Sequence, residues 1–214
     1  WLKGDFMKYW KFILKIFILF FIGSIFGCLI ETIYAIIKTG SFQVRQGLIY
    51  GPFIPIYGLG TILFYLILLT TKKPLNIFLI SIIMGGLLEI ICSIVQENIF
   101  GTISWDYSNT FLNIYGRTNL QYSIYWGLIG LLFLKLFPLV DKIDLIAENK
   151  KWRIITYILM LFILIDIVIS SLACLRQFER YKGIEAKNYI DVFLDIHYPD
   201  EFLNKIYTNS MWVK

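Results

Sequence analysis

Two glutamates sit where an ionisable group is costly. Glu31 closes the run Phe26-Gly-Cys-Leu-Ile-Glu31, and Glu89 closes Met84-Gly-Gly-Leu-Leu-Glu89. Each lies in a long apolar stretch with a glycine four residues before it, Gly27 and Gly85. That spacing is one helical turn, so glycine and glutamate share a face. Small residues let another helix approach, which turns the carboxylate toward protein rather than lipid. Gly23 and Tyr34 extend the first face; Ser93, Gln96 and Glu97 extend the second. A charge in mid-membrane costs about 2.5–3.5 kcal/mol on insertion scales. Such an acid takes up a proton or finds a cationic or hydrogen-bonding partner. The chemistry open to the pair is cation or substrate binding, general-base work on a lipid held by an arginine, or plain hydrogen bonding between helices. Arg45 and Arg117, one in each of the loops that follow, are the candidate cationic partners.

The segments around the two acids echo each other. After each acid comes a turn-rich, apolar loop, and the next apolar run opens alike, Ile56-Tyr57-Gly58 in one copy and Ile124-Tyr125-Trp126-Gly127 in the other. The pattern predicts a duplicated helix–loop–helix unit within residues 1–140, with repeats at about 20–72 and 78–138. Both acid-bearing helices run the same way, so the pseudo-symmetry axis lies along the membrane normal. The first loop, Arg45 to Gly58 through Gly51-Pro52 and Pro55, is too apolar for an exposed loop and too broken for a helix. It is expected either to dip into the bundle and line a cavity or to lie at the interface as a connector. The second loop carries Trp105-Asp106-Tyr107 and Asn113 to Arg117. Its aromatics favour the interface, and Asp106 and Asn113 suit turn capping or a substrate head group.

Composition fixes the class. The chain has 214 residues, 58% of them hydrophobic and 16% charged, where a soluble domain carries about 25% charged residues. Apolar runs at about 16–37, 56–71, 75–100, 120–139 and 154–175 read as spans, the second at the short end of spanning length. The expected fold is an all-α polytopic membrane protein with about five spans, a charged connector at 141–153, a fifth helix at 154–175 and an amphipathic tail at 176–214. Lys8, Lys11 and Lys15 share a face, which predicts an interfacial segment before the first span. The fourth span is expected to stop near Pro138. Met7 is a candidate start, and the N-terminal run reads as a retained helix rather than a signal peptide.

The net charge of +5 reflects lysines and arginines at span ends, so it points to membrane orientation and not to nucleic acid. Counting them predicts a cytoplasmic N-terminus with both loops outside. Arg176, Arg180 and Lys182 pull the other way and favour a cytoplasmic tail, which would take a re-entrant segment or a sixth short span. In the tail, Ile190, Phe193 and Leu194 make one helical stripe and Phe202, Leu203, Ile206 and Tyr207 another, for a membrane surface or a partner. Asp166, outside the repeat, reads as a helix-packing contact. Cys28, Cys92 and Cys174 have no metal or disulfide spacing, and one histidine, His197, builds no metal site. No metal and no cofactor is expected.

Arg45-x-Gly47, Gly51-Pro52, Pro55-x-Tyr57-Gly58, Trp105-Asp106-Tyr107, Asn113 and Gly116-Arg117, in this order, resemble the signature of the ABC-transporter type IV family, the CmpB-like permeases. The resemblance covers about residues 20–140, and Tyr198-Pro199-Asp200 is also similar. It implies a small bacterial integral membrane protein of the inner or plasma membrane with a permease role. Its ABC label implies an ATPase. The chain has no Gly-x4-Gly-Lys-Ser/Thr loop, so that partner is expected as a separate subunit, with the 141–153 connector as its dock.

Three functions follow as expectations. The first is a transport protein whose outward-opening cavity is lined by Glu31, Glu89, Arg45 and Arg117, with Tyr57, Asp106 and Asn113 completing the substrate-binding set. Its substrate is small and polar or cationic, or amphipathic and lipid-like, and membrane lipid is its surroundings. The second is an intramembrane enzyme acting on a lipid or lipid-linked substrate. The third is a non-catalytic membrane partner or assembly factor.

Overall fold

Apolar periodicity and helix-stopping residues at the turns divide the chain into eight helices among the residues described. A computed structural model describes residues 2–42 and 45–213, without the side chains of 2–7, 141 and 147. Whether the chain begins at Met7 falls outside that description. The elements are α1 (Leu2–Thr39), α2 (Pro55–Thr70), α3 (Pro74–Phe100), α4 (Leu120–Asp141), α5 (Ile143–Glu148), α6 (Lys150–Tyr181), α7 (Tyr189–His197) and α8 (Asp200–Ile206). Four two-residue strands complete it: β1 (Thr102–Ile103), β2 (Asn113–Ile114), β3 (Thr118–Asn119) and β4 (Met211–Trp212). Four helices, α1, α3, α4 and α6, are long and apolar enough to cross a membrane; α2 is a shorter apolar helix of 16 residues. The chain is an all-α polytopic membrane protein.

α1 packs on α2 and α3 on α4, and α2 joins the two pairs through α3. Glycines set the closeness. A Cβ on Gly27 would lie 2.3 Å from the Tyr57 ring, and one on Gly85 would lie 2.2 Å from the Trp126 ring. Both glycines therefore take a bulky aromatic of the following helix directly on their backbone.

The first loop sinks into the bundle. The Ile54 amide donates to the Ser24 carbonyl at 3.1 Å, and Ser24 lies about 22 Å along α1 from Thr39. The Ile49 amide donates to Ser170 Oγ at 2.9 Å and the Tyr50 amide to Asp166 Oδ1 at 3.1 Å. Leu48 and Phe53 pack with Ile163 of α6 and with Phe17, Phe20 and Phe21 of α1. Buried backbone needs such partners, because lipid offers none. The inward course also explains α2: starting at depth, 16 residues suffice to return.

Three boundaries differ from the sequence expectation. α1 is one unbroken helix, without a separate interfacial segment; Lys15 is buried on it and donates to Asp144 at 2.8 Å. α4 continues through Pro138 to Asp141. The tail lies at the loop end of the bundle, because β4 pairs with β1 (Thr102 with Trp212, Ile103 with Met211) and the Tyr198 hydroxyl meets that of Tyr50 at 2.8 Å. The basic residues that favoured the opposite side are neutralised: Arg176 and Arg180 grip Asp195, Arg180 reaches Asp200, and Arg176 reaches Glu179. The two tail stripes become α7 and α8. Leu194, Tyr198 and Leu203 pack on Ile49 and Ala173, while Ile190 and Phe193 face outward.

Candidate functional site

The halves of α1 and α3 nearest the two loops carry the two acids, and α2, α4 and the second loop supply their partners. Tyr57 of α2 lies on Gly27, and its hydroxyl donates to Glu31 Oε1 at 2.6 Å. Glu89 is 6% exposed and accepts from Thr118 Oγ1 at 2.6 Å. Trp126 of α4, lying on Gly85, turns its indole N–H toward the same carboxylate. The Tyr57 and Trp126 rings stand 6.2 Å apart between the two acids.

Tyr107 of the second loop roofs this centre. It stacks on Tyr122 with centroids 4.5 Å apart, and Tyr122 meets Tyr125 edge-on. Burial, and then the Glu89 carboxylate, push the Tyr107 phenol well above its ordinary value; Tyr122, Glu31 and Tyr34 add to the effect. Both acids thus act on one hydroxyl. Tyr57 also lies in the field of both. Tyr34, one turn beyond Glu31, faces Tyr122 closely enough for their hydroxyls to interact. Glu31 and Glu89 are turned toward a common aromatic interior. Among the described residues no ion pair engages either one.

The arginines do other work. Arg117 pairs through Nη2 with Glu97 and through Nη1 with Ser93 Oγ at 2.9 Å. It follows the acid-bearing face of α3 one and two turns beyond Glu89, without reaching Glu89. Arg45 anchors its loop by backbone: its carbonyl accepts from Cys28 Sγ at 2.7 Å and its amide donates to Thr32 Oγ1 at 3.2 Å. Its Nε is buried with no hydrogen-bond partner.

Asp106 and Asn113 shape the second loop. Asp106 accepts from the Ser108 amide at 2.8 Å and hydroxyl at 2.5 Å, and these bonds hold its carboxyl below the usual range. Asn113 donates to the Ser108 and Thr110 carbonyls and accepts from the Gly116 amide. Beside them a 150 Å³ pocket holds Ser93, Glu97, Asp106, Tyr115 and Arg117. Asp166 holds the first loop from α6, with Oδ1 accepting from Tyr50 N and from Ser170 Oγ at 3.1 Å, and is 1% exposed. The described residues contain no group of His, Cys, Asp and Glu able to hold a metal, and the three cysteines are free.

Sequence reasoning missed Thr118, Tyr107, Tyr122 and Trp126 as neighbours of the acids. Trp126 had a signal, since it occupies the position in its run that Tyr57 occupies in the other. Tyr107 had none: an aromatic in an outer loop looks the same whether it lies on the interface or folds over a buried acid.

A family model described as "Putative ABC-transporter type IV" matches residues 18–171. The chain belongs to that family, and with its long apolar helices this supports a membrane transport role. No curated protein and no solved structure matches it.

Proposed function

We propose that this chain is the substrate-translocating membrane component of a transport system in a bacterial cell membrane, its N-terminus cytoplasmic and its two large loops outside. Glu31, Glu89 and Tyr57 line the central binding cavity beneath those loops. The observation that carries this reading is the convergence of two acids, from separate helices, on one aromatic interior, with no ion pair to either among the described residues. Intramembrane acids of this kind mark substrate paths. The duplicated helix–loop–helix unit, residues 20–72 and 78–138, gives the two halves whose relative motion opens and closes the path. The pocket beside Arg117, shaped by Asp106 and Asn113, serves as an outer vestibule, with Arg45 on the opposite rim. Energy comes from a separate ATPase subunit, since the chain has no phosphate-binding loop. That subunit meets the end of the bundle opposite the loops, where Leu145 and Trp152 are exposed.

The test compares bacterial cells expressing the chain with empty-vector cells, over a pool of isotope-labelled polar and amphipathic solutes. Glu31→Gln and Glu89→Gln keep a hydrogen-bonding side chain of the same size, so each folds and inserts. Each is expected to lose about tenfold or more of the uptake. Full uptake by both variants would overturn the reading.

A further inference from the structure

We infer that α7 is a membrane-surface helix: its outward apolar stripe is seated in the lipid leaflet on the loop side of the bundle, and its acidic side is turned to protein. Three observations carry it.

The first is a helix built inside out. At about 100° per residue, Val192, Ile196, Tyr189, Phe193 and Ile190 follow one another around α7 within about 160°. All five are exposed, Ile196 at 68%. The opposite side holds Leu194, Asp191 and Asp195. Leu194 packs with Ala173 and Ile49, Asp195 receives Arg176 and Arg180, and Asp191 accepts from the Lys187 amide at 2.8 Å. A helix resting on protein in water turns its apolar stripe inward and its charges outward. α7 does the reverse, and such a face suits apolar surroundings.

The second is depth. α6 begins at Lys150, with Lys151 and Arg153 in its first turn. A hydrocarbon layer of about 30 Å takes about 20 helical residues, which from Ile154 ends at Ala173. The last exposed aliphatic side chains of α6 are Val168, Leu172 and Leu175, and Arg176, Gln177 and Arg180 follow. Ala173 is the residue that Leu194 covers, and Arg176 is the one that holds Asp195. α7 is therefore level with the edge of the hydrocarbon, where amphipathic helices lie.

The third is the chemistry of the stripe. Both acids of α7 face inward, so its outer side carries no carboxylate. Tyr189 stands at one end of the helix. His197 stands at the other, stacked on Phe193 with Nδ1 2.9 Å from the Phe193 carbonyl. Tyr and His pair an apolar body with a polar tip, which suits a boundary between lipid and water. A protein interface surrounds its apolar centre with a polar rim; a bilayer asks for no such directional contact. The lipid thus backs the same helix whose Leu194 covers Ile49 of the first loop.

The test is quenching of tryptophan emission from the full chain in lipid nanodiscs. Phe193→Trp and Ile196→Trp each place one indole on the stripe. Leu172→Trp, on the exposed side of α6, reports lipid, and Glu185→Trp, in the exposed segment before α7, reports water. All four positions are exposed, so the buried contacts of each variant stay as they are. The emission of the native chain is subtracted from that of each variant. One quencher is a phospholipid brominated in its acyl chains near the head group; the other is iodide in the buffer. Indoles at 193 and 196 are expected to behave as at 172, quenched by the brominated lipid about threefold or more above Glu185→Trp and by iodide about threefold or more below it. Iodide quenching equal to that of Glu185→Trp overturns the inference, because the stripe then faces water. Protection from both quenchers also overturns it, because a protein, a second copy of the chain included, then covers the stripe.

Discussion

The pair α1–α2 and the pair α3–α4 begin from matching sequence and end in different surroundings. In both, a glycine one turn before the acid receives an aromatic from the next helix, and that aromatic turns toward the acid. The loops part company. The first, over residues 45–54, sinks between α1 and α6 and takes polar partners from Asp166 and Ser170. The second, residues 101–119, is tied at its two ends to β4 and to α3, and its middle is held by its own turn bonds, with Asp106 and Asn113 as knots. Glu89 is accordingly buried under its loop, while Glu31 stays partly exposed. Identical local patterns fix the helix contacts; partners outside those patterns fix the burial of the acids.

The largest effect falls where the two pairs agree. Gly27→Leu and Gly85→Leu each drive a side chain into an aromatic ring that already lies on the backbone. Overpacking of this kind costs about 3 kcal/mol or more when the backbone cannot give way. Both variants are expected to lose folded, monodisperse protein, measured by thermal unfolding in detergent. If one unfolds early and the other does not, the shared contact is not shared, and the comparison breaks at its base.

A smaller effect tests where the pairs differ. Asp166→Ala removes the acceptor of the part-buried Tyr50 amide and of the Ser170 hydroxyl, a loss of about 1–3 kcal/mol. Asn113→Ala removes bonds from an exposed loop where water replaces them, worth about 0.5–1.5 kcal/mol. Thermal unfolding and protease cutting within residues 40–54 are expected to respond strongly to the first and weakly to the second. The reverse order would mean that the second loop, not the first, depends on tertiary support.

These differences mark what could be read from the chain and what could not. Spans were legible because hydrophobic length is a local property: the third was placed at 75–100 and α3 is Pro74–Phe100. The bundle-facing side of Glu31 and Glu89 was legible because four-residue spacing fixes a helical face. Pro138 misled by a few residues, since a proline near the end of a helix removes one bond without stopping it. The tail misled more, because Arg176 and Arg180 count as free charges in sequence and are paired with Asp195 and Asp200 in the fold. Arg117 was assigned to the wrong neighbourhood for the same reason. Its partner Glu97 lies eight residues past Glu89 on the same face, and only the path of the loop decides which acid it meets. Asp166, expected to pack against another helix, instead accepts from the first loop's backbone.

The smallest expected effect concerns the tail that covers the first loop. Asp195 receives two bonds from Arg176, at 2.9 Å each, and one from Arg180 at 2.5 Å. Arg176 first, then Arg180, hold its carboxyl below the ordinary range. A depressed pKa in the folded state means that the charged form stabilises docking. That contribution is complete above the unfolded value of about 3.9 and fades as pH falls through the lower folded value. Neutral buffers therefore leave docking unchanged, and only acid below about pH 4 loosens it. Limited proteolysis with an acid-active protease across that window is expected to expose the Gly183–Asn188 segment before the first loop, and Asp195→Asn is expected to show the exposed state already at neutral pH. If the first loop is cut before the tail segment, α7 and α8 contribute nothing to its burial, and the contrast between the two pairs rests on Asp166 and Ser170 alone.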